Sequence, residues 1–100
     1  MTFFGLTEKQ YELLNTLAIE PLKKANCKVW IFGSRVKGNF QKFSDIDILF
    51  EPSKDLELGF IYKITSELED SNFPLKVDLV NIQNLASSYR DDVLKNRIQI

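Results

Sequence analysis

The spacing of apolar and polar positions along the chain follows two periods, one helical and one extended. Apolar residues recur at helical spacing in three stretches, which predicts amphipathic helices. Other stretches are short apolar runs or alternate strictly between apolar and polar residues, which is typical of strands. The predicted helices begin near Thr7, near Ser53 or Asp55, and near Asn84 or Ser88. The predicted strands are residues 29–32, 45–50 and 76–81, with a short edge strand at 97–100.

The order of these elements predicts an α/β (α+β) fold, a mixed β-sheet with helices packed on it. Thr7 and Gln10 have the spacing of a capping box at the start of the first helix. Pro21 is expected to kink or interrupt that helix just before it, because proline lacks an N–H donor. Gly59 is expected to make the first turn of the second helix irregular.

Composition narrows the chemistry that this fold can support. The chain has 100 residues, a formal net charge of −1, no histidine and one cysteine. It therefore cannot contain a Ser-His-Asp triad, a Cys/His zinc site or an internal disulfide. We expect residues 1–100 to form one small cytoplasmic domain without a membrane segment. The small negative charge argues against direct nucleic-acid binding.

The segment from Gly33 to Asp47 carries the candidate chemistry. Gly33 follows a buried strand and allows a close approach of the backbone to a ligand, and Ser34 adds a hydroxyl that can hold a phosphate. Asp45 and Asp47 are two positions apart on a predicted strand, so both carboxylates are expected on one face. Two close carboxylates repel each other unless a cation lies between them, and Mg²⁺ prefers such oxygen ligands.

Asp78 is a third carboxylate, placed within an apolar strand run where an ionised side chain needs a polar partner or a metal ion. The alternative is that Asp45 and Asp47 are solvated residues of an exposed strand face and that Asp78 points outward from an edge strand. Two further questions stay open from the residues alone. Arg35 and Lys37 could contact phosphate or belong to a basic surface, and the Phe3–Phe4 segment could pack on its own core or on another subunit.

Taken together, Gly33-Ser34, ten residues, Asp45-Ile46-Asp47 and the later Asp78 resemble the signature of the polymerase-beta-type nucleotidyltransferase superfamily. The stretches 30–38 and 44–48 are most similar to its minimal members, which are encoded beside a helical HEPN partner. The resemblance extends over roughly residues 29–89 together with the first helix. It implies a polymerase-beta-like fold and an enzyme that transfers a nucleotide to a hydroxyl.

The resemblance also implies roles for the residues that match. Asp45, Asp47 and Asp78 would hold two Mg²⁺ ions that bridge the phosphates of ATP, and Asp78 would help to deprotonate the acceptor hydroxyl. Gly33 and Ser34 would hold the triphosphate, with Arg35 and Lys37 as nearby cations.

For the partner, the resemblance implies an antitoxin that transfers AMP to a tyrosine of a HEPN toxin within a hetero-oligomer. Two alternatives remain open at this stage. The chain could be a binding subunit that neutralises its partner by occlusion without catalysis, or a nucleotidyltransferase subunit with a small-molecule or RNA acceptor.

Overall fold

The structure, a computed structural model, describes residues 3–100. It contains five helices and four strands in the part of the chain that it describes. The helices are α1 Glu8–Leu14, α2 Glu20–Lys24, α3 Ser34–Lys37, α4 Phe60–Asp70 and α5 Ser87–Asn96. The strands are β1 Cys27–Phe32, β2 Ile46–Pro52, β3 Val77–Asn81 and β4 Ile98–Gln99. A π-helical turn, Asn15–Ile19, joins α1 to α2, and a 3₁₀ turn, Ile82–Asn84, precedes α5.

The four strands form one mixed sheet in the order β3-β2-β1-β4. Strand β1 is antiparallel to both β2 and β4, whereas β2 and β3 are parallel. A parallel pair needs a crossover connection, and α4 provides it between β2 and β3. The mixed sheet with packed helices confirms the predicted fold class, including the short edge strand at the C-terminal end.

The two faces of the sheet are covered unequally. One face buries side chains of β1 and β2 against the helical segment 8–24 and α4, and this larger core includes Leu14, Ile48 and Ile64. The other face holds a smaller cluster around Trp30 and Leu49, covered by the 3₁₀ turn and α5. Because side chains alternate along a strand, the register assigns every β-strand residue to one of these two faces. The thinly covered face is the one that carries the candidate site.

The first helix follows the predicted capping box, but its interruption lies earlier than expected. The Thr7 hydroxyl accepts a hydrogen bond from the Gln10 backbone, and the Gln10 side chain accepts one from the Thr7 backbone. Pro21 does not break the helix at its own position; instead the turn Asn15–Ile19 widens to π-helical geometry. Proline cannot donate to the carbonyl one turn back and its ring crowds that carbonyl, so the wider turn before it relieves both problems.

The start of α4 corrects the prediction that Ser53 or Asp55 caps this helix with Gly59 inside it. The helix begins at Phe60, and Gly59 is its N-cap residue in a left-handed conformation, with φ of 83°. A left-handed residue ends any helical run, so residues 53–59 form a loop instead of a first turn. Within residues 3–100, no helix has the length and apolar character to cross a membrane.

Candidate active site

Asp47 occupies the centre of a polar site at one edge of the thinly covered sheet face. On one side, its register partner in β1 is Phe32, the residue before Gly33. On the other side, its register partner in the parallel strand β3 is Asp78. Direct neighbours in adjacent strands project their side chains from the same face. The sheet register therefore brings together two carboxylates from distant parts of the sequence.

The electrostatics of Asp47 reflect this neighbourhood. Partial burial, together with the negative charges of Asp78 and Asp45, raises the pKa of the Asp47 carboxyl to about 6. A hydrogen bond with the Asp78 side chain acts in the same direction, while the Lys76 cation opposes it. The site thus concentrates negative charge that the Lys76 cation compensates only in part. A half-buried carboxyl with such a perturbed pKa is typical of functional sites.

This donor set fits a hard divalent cation. Asp45, Asp47 and Asp78 supply carboxylate oxygens only, which are the ligands that Mg²⁺ prefers. Asp45 lies just before β2 and is exposed, instead of sitting on the strand as predicted, although its charge still acts on Asp47. Within residues 3–100, no three acidic, histidine or cysteine side chains lie close enough together to hold one metal ion, so the structure brings Asp78 beside Asp47 and does not gather all three carboxylates around one point. An open pair of carboxylates suits Mg²⁺ because it commonly completes its shell with water and phosphate oxygens.

Gly33 forms the wall of the site on the β1 side. Its φ of 84° and ψ of −154° lie in a region that only glycine occupies readily. A Cβ at this position would overlap the Oδ2 oxygen of Asp47. Ser34 follows as the first residue of the short helix α3. The structure therefore places the Gly33–Ser34 turn directly beside the Asp47 carboxylate, where a phosphate group could lie against the backbone.

The two cations of this segment differ in their surroundings. Arg35 is only 4% exposed, and its guanidinium donates hydrogen bonds to the carbonyls of Phe4, Lys42 and Ser44. Lys37 is exposed at the end of α3, and its Nζ lies 2.6 Å from Asp92 Oδ2 in α5. The guanidinium of Arg35 thus binds protein carbonyls, whereas the ammonium of Lys37 is accessible to solvent and pairs with the exposed carboxylate of Asp92.

Lys76 is a charged neighbour of the site that the sequence analysis did not single out. Its Nζ lies 3.7 Å from Asp78 Oδ1, and it lowers the pKa of Asp47. A signal for it existed in the sequence, because residues 76 and 78 share one face of an extended segment.

The chain is similar to known proteins over most of its length. Residues 18–100 match the family described as Polymerase beta, Nucleotidyltransferase. The chain is also 31% identical over 94 residues to a probable protein adenylyltransferase, MntA, of Haemophilus influenzae. That alignment covers 94% of this chain and 82% of the relative. The chain therefore has a homologue that is described as acting on protein.

Solved structures share the same fold. A crystal structure of a toxin–antitoxin with AMP-PNP superposes with a TM-score of 0.64 at 22% identity, covering 85% of this chain and 70% of that one. A complex of a tri-AMPylated Shewanella oneidensis HEPN toxin with an MNT antitoxin gives a TM-score of 0.61 at 18% identity. It covers 94% of this chain and 71% of the matched chain. At these identities the likeness concerns the fold.

Proposed function

The chain belongs to the polymerase beta nucleotidyltransferase family, and from this membership we propose that it transfers AMP from ATP to a hydroxyl in an Mg²⁺-dependent reaction. The acceptor that we propose is a tyrosine of a helical HEPN-type partner, with the chain acting as the antitoxin of the pair. The observation that carries the proposal is the pairing of Asp47 with Asp78 beside the Gly33 turn. This arrangement offers carboxylates and a backbone cradle at one place.

We assign the metal-holding role to Asp45, Asp47 and Asp78. Mg²⁺, with two ions expected, would neutralise charge on the phosphates when bound. Asp47 is the central ligand, because the charges of both Asp45 and Asp78 act on its carboxylate. The repulsion that raises the pKa of Asp47 in the free protein favours cation binding, because a cation relieves it.

The chain's other residues position the nucleotide. The Gly33 backbone and the Ser34 hydroxyl hold the triphosphate against the end of β1, and Lys37 supplies a cation near it. In the transfer, the acceptor oxygen forms a bond to the α-phosphorus as the bond from that phosphorus to the bridging oxygen breaks. Pyrophosphate leaves, and the hydroxyl proton passes to the carboxylate of Asp78.

A protein acceptor is supported by the chain's similarity to MntA and by the fold it shares with antitoxins seen in toxin complexes. The exposure of the site fits a large acceptor. Asp45 is exposed, and 41% of the Asp78 side chain is accessible. We therefore propose that residues 1–100 form one nucleotidyltransferase domain, that a HEPN-type subunit completes the cleft, and that the pair acts in the cytoplasm, where ATP is available.

The test is transfer of AMP to a purified HEPN-type partner. We expect the wild-type chain with ATP and Mg²⁺ to add the mass of AMP to the partner, at a tyrosine that peptide mass spectrometry identifies. Asp45→Asn should abolish transfer, whereas Asp55→Asn, in the exposed loop before α4, should not affect it. An unmodified partner with the wild-type chain, or equal transfer by Asp45→Asn, would contradict the proposal.

A second arm of the test separates catalysis from occlusion. If Asp47→Asn binds the partner but leaves it active and unmodified, the carboxylate is needed for chemistry. If this variant neutralises the partner as well as wild type does, the chain acts as a binding subunit instead.

A further inference from the structure

Arg35 is the one charged residue with a buried side chain among residues 3–100. Its Nη1 donates to Phe4 O at 2.9 Å, and its Nη2 donates to Ser44 O at 2.9 Å. Longer hydrogen bonds run from Nε to Ser44 O and from Nη2 to Lys42 O, both at 3.3 Å. The ring of Phe40 lies under the guanidinium, with its centroid 4.9 Å from Cζ. This side chain thus joins α3 to the Phe4 segment and to the loop of residues 40–44.

The carbonyl of Ser44 is the most informative of these acceptors, because the next residue is Asp45. Two guanidinium nitrogens hold this carbonyl. On the other side of Asp45, the Ile46 amide donates to Lys76 O at 2.9 Å and starts strand pairing. The backbone of Asp45 is therefore held on both sides, by the hydrogen bonds from Arg35 to Ser44 O and by the bond from Ile46 N to Lys76 O. Only the second of these belongs to the sheet.

The loop that carries this carbonyl has little packing of its own. Residues 37–39 and 41–43 are exposed, and Phe43 is 75% exposed. A short turn, in which Gln41 N donates to Ser44 Oγ, shapes its end. An exposed loop with few buried contacts has low local stability. The bonds from Arg35 therefore supply much of the restraint on this loop.

Arginine suits this position in a way that lysine does not. Its planar fork presents five donors, so it can satisfy carbonyls in several directions at once, whereas a lysine ammonium is a point charge with a flexible stem. The segment that contains Gly5 also lies close to the Arg35 side chain. A Cβ at Gly5 would lie 2.8 Å from Arg35 Nη1.

We propose that Arg35 is a positioning residue, which holds the Ser44 carbonyl and so fixes the position of Asp45 immediately before β2. The proposal rests on the proposed function for its catalytic meaning, and it replaces a phosphate contact as the role of Arg35. Arg35 immediately follows Ser34. Its hydrogen bonds to the Ser44 carbonyl therefore connect the Gly33–Ser34 turn with the residue that precedes Asp45.

The experiment compares Arg35→Gln and Arg35→Lys with wild type. The matched control is Arg90→Gln, which removes a 2.9 Å hydrogen bond from an arginine to the Ile82 carbonyl near the other end of β3. Amide hydrogen exchange of residues 38–45 reports the loop, and Mn²⁺ binding by electron paramagnetic resonance reports the carboxylates. Both are measured on the full chain without nucleotide, so neither depends on transfer activity.

We expect Arg35→Gln to exchange faster at residues 38–45 and to bind Mn²⁺ about tenfold more weakly or worse, as loss of a residue that orients a metal ligand does. Arg35→Lys should recover part of both losses, and Arg90→Gln should match wild type. In the transfer assay, the Mg²⁺ concentration for half-maximal rate should rise for Arg35→Gln, while KM for ATP at saturating Mg²⁺ stays near the wild-type value.

Three results would overturn the proposal. A raised KM for ATP at every Mg²⁺ concentration, with unchanged loop exchange, would assign Arg35 to phosphate binding. Unchanged exchange and Mn²⁺ affinity in the folded variants would remove any role at the site. If both Arg35 variants fail to fold, the residue serves the fold and not the site. A wild-type chain that binds Mn²⁺ but transfers no AMP would refute the proposed function while leaving the role of Arg35 to be judged by the first two measurements.

Discussion

The backbone of Gly33 lies so close to the Asp47 carboxylate that no side chain fits between them. A Cβ at Gly33 would overlap Asp47 Oδ2, and the φ of 84° at this residue is itself unfavourable for any other amino acid. Two independent constraints, one conformational and one steric, therefore require glycine at the point where β1 meets the site. The close approach leaves the carboxylate and the backbone of the turn facing the same space.

Substitution of Gly33 by alanine should therefore destabilise the protein and displace Asp47. We expect Gly33→Ala to lose about 1–3 kcal/mol of unfolding free energy from backbone strain, and to lose AMP transfer because the Asp47 carboxylate must move. Urea unfolding and the transfer assay check these two effects. Gly38→Ala is the matched control, since Gly38 also has a φ of 84° but has open space where its Cβ would lie. It should lose stability and keep activity; equal activity loss in both variants would contradict a specific role for the Gly33–Asp47 contact.

The raised pKa of Asp47 predicts a pH-dependent gain of stability on removing its charge. The folded protein binds a proton at Asp47 with a pKa of about 6, against 3.8 for an ordinary aspartate. The native state therefore holds more protons than the unfolded state between about pH 4 and pH 6, so this group's contribution to stability falls as pH rises through that window. Above about pH 6, the ionised Asp47 carboxylate lowers the free energy of unfolding by an amount that no longer changes with pH.

Asp47→Asn should consequently be more stable than wild type at pH 8, by about 1 kcal/mol after allowance for solvent screening of a half-buried group, and equally stable near pH 4. Thermal unfolding in EDTA across this pH range measures the difference. Asp55→Asn is the control, and its stability difference from wild type should not change with pH. A stability difference between Asp47→Asn and wild type that does not change with pH would contradict the prediction.

Mg²⁺ should stabilise the free chain, because it relieves the repulsion among Asp45, Asp47 and Asp78. A ligand that binds only the native state at tenfold its Kd adds about 1.4 kcal/mol to the unfolding free energy. We expect Tm to rise with added Mg²⁺ and to return to its initial value with EDTA. Asp47→Asn should show little of this rise, and Na⁺ at equal ionic strength should not reproduce it. A Tm that responds equally in wild type and Asp47→Asn would exclude binding at these carboxylates.

Lys37 and its partner Asp92 allow a separate test of phosphate contact. Their ion pair is 2.6 Å long, but 44% and 54% of the two side chains are accessible, so either Lys37→Met or Asp92→Asn should change stability by less than about 1 kcal/mol. If Lys37 contacts ATP, Lys37→Met should raise KM for ATP by about tenfold, the value of one charge-assisted hydrogen bond. Asp92→Asn frees the lysine and should not raise KM. Equal KM values in both variants would remove Lys37 from the nucleotide site.

Local sequence signals predicted the elements well where the chain itself decides them. The Thr7–Gln10 capping box and the strands β1, β2 and β3 follow from spacing over a few residues. The start of α4 was predicted wrongly, because the apolar stripe extends back beyond Gly59 while the backbone at that glycine turns left-handed. Hydrophobic periodicity reports which face is buried, and it does not report where the backbone leaves the helix.

The sequence by itself determined which chemistry was available: a histidine-free chain with Gly33-Ser34, Asp45 and Asp47 at a spacing typical of nucleotidyltransferases. It also determined that alternate residues of each strand share a face. Only the tertiary structure decided that Asp78 lies directly beside Asp47, because parallel register is set when α4 packs and aligns β3 with β2. The same holds for Arg35, whose burial depends on the Phe4 segment and the 42–44 loop closing around it. Local patterns specify side-chain types and faces, whereas neighbours across the sheet depend on packing of the whole chain.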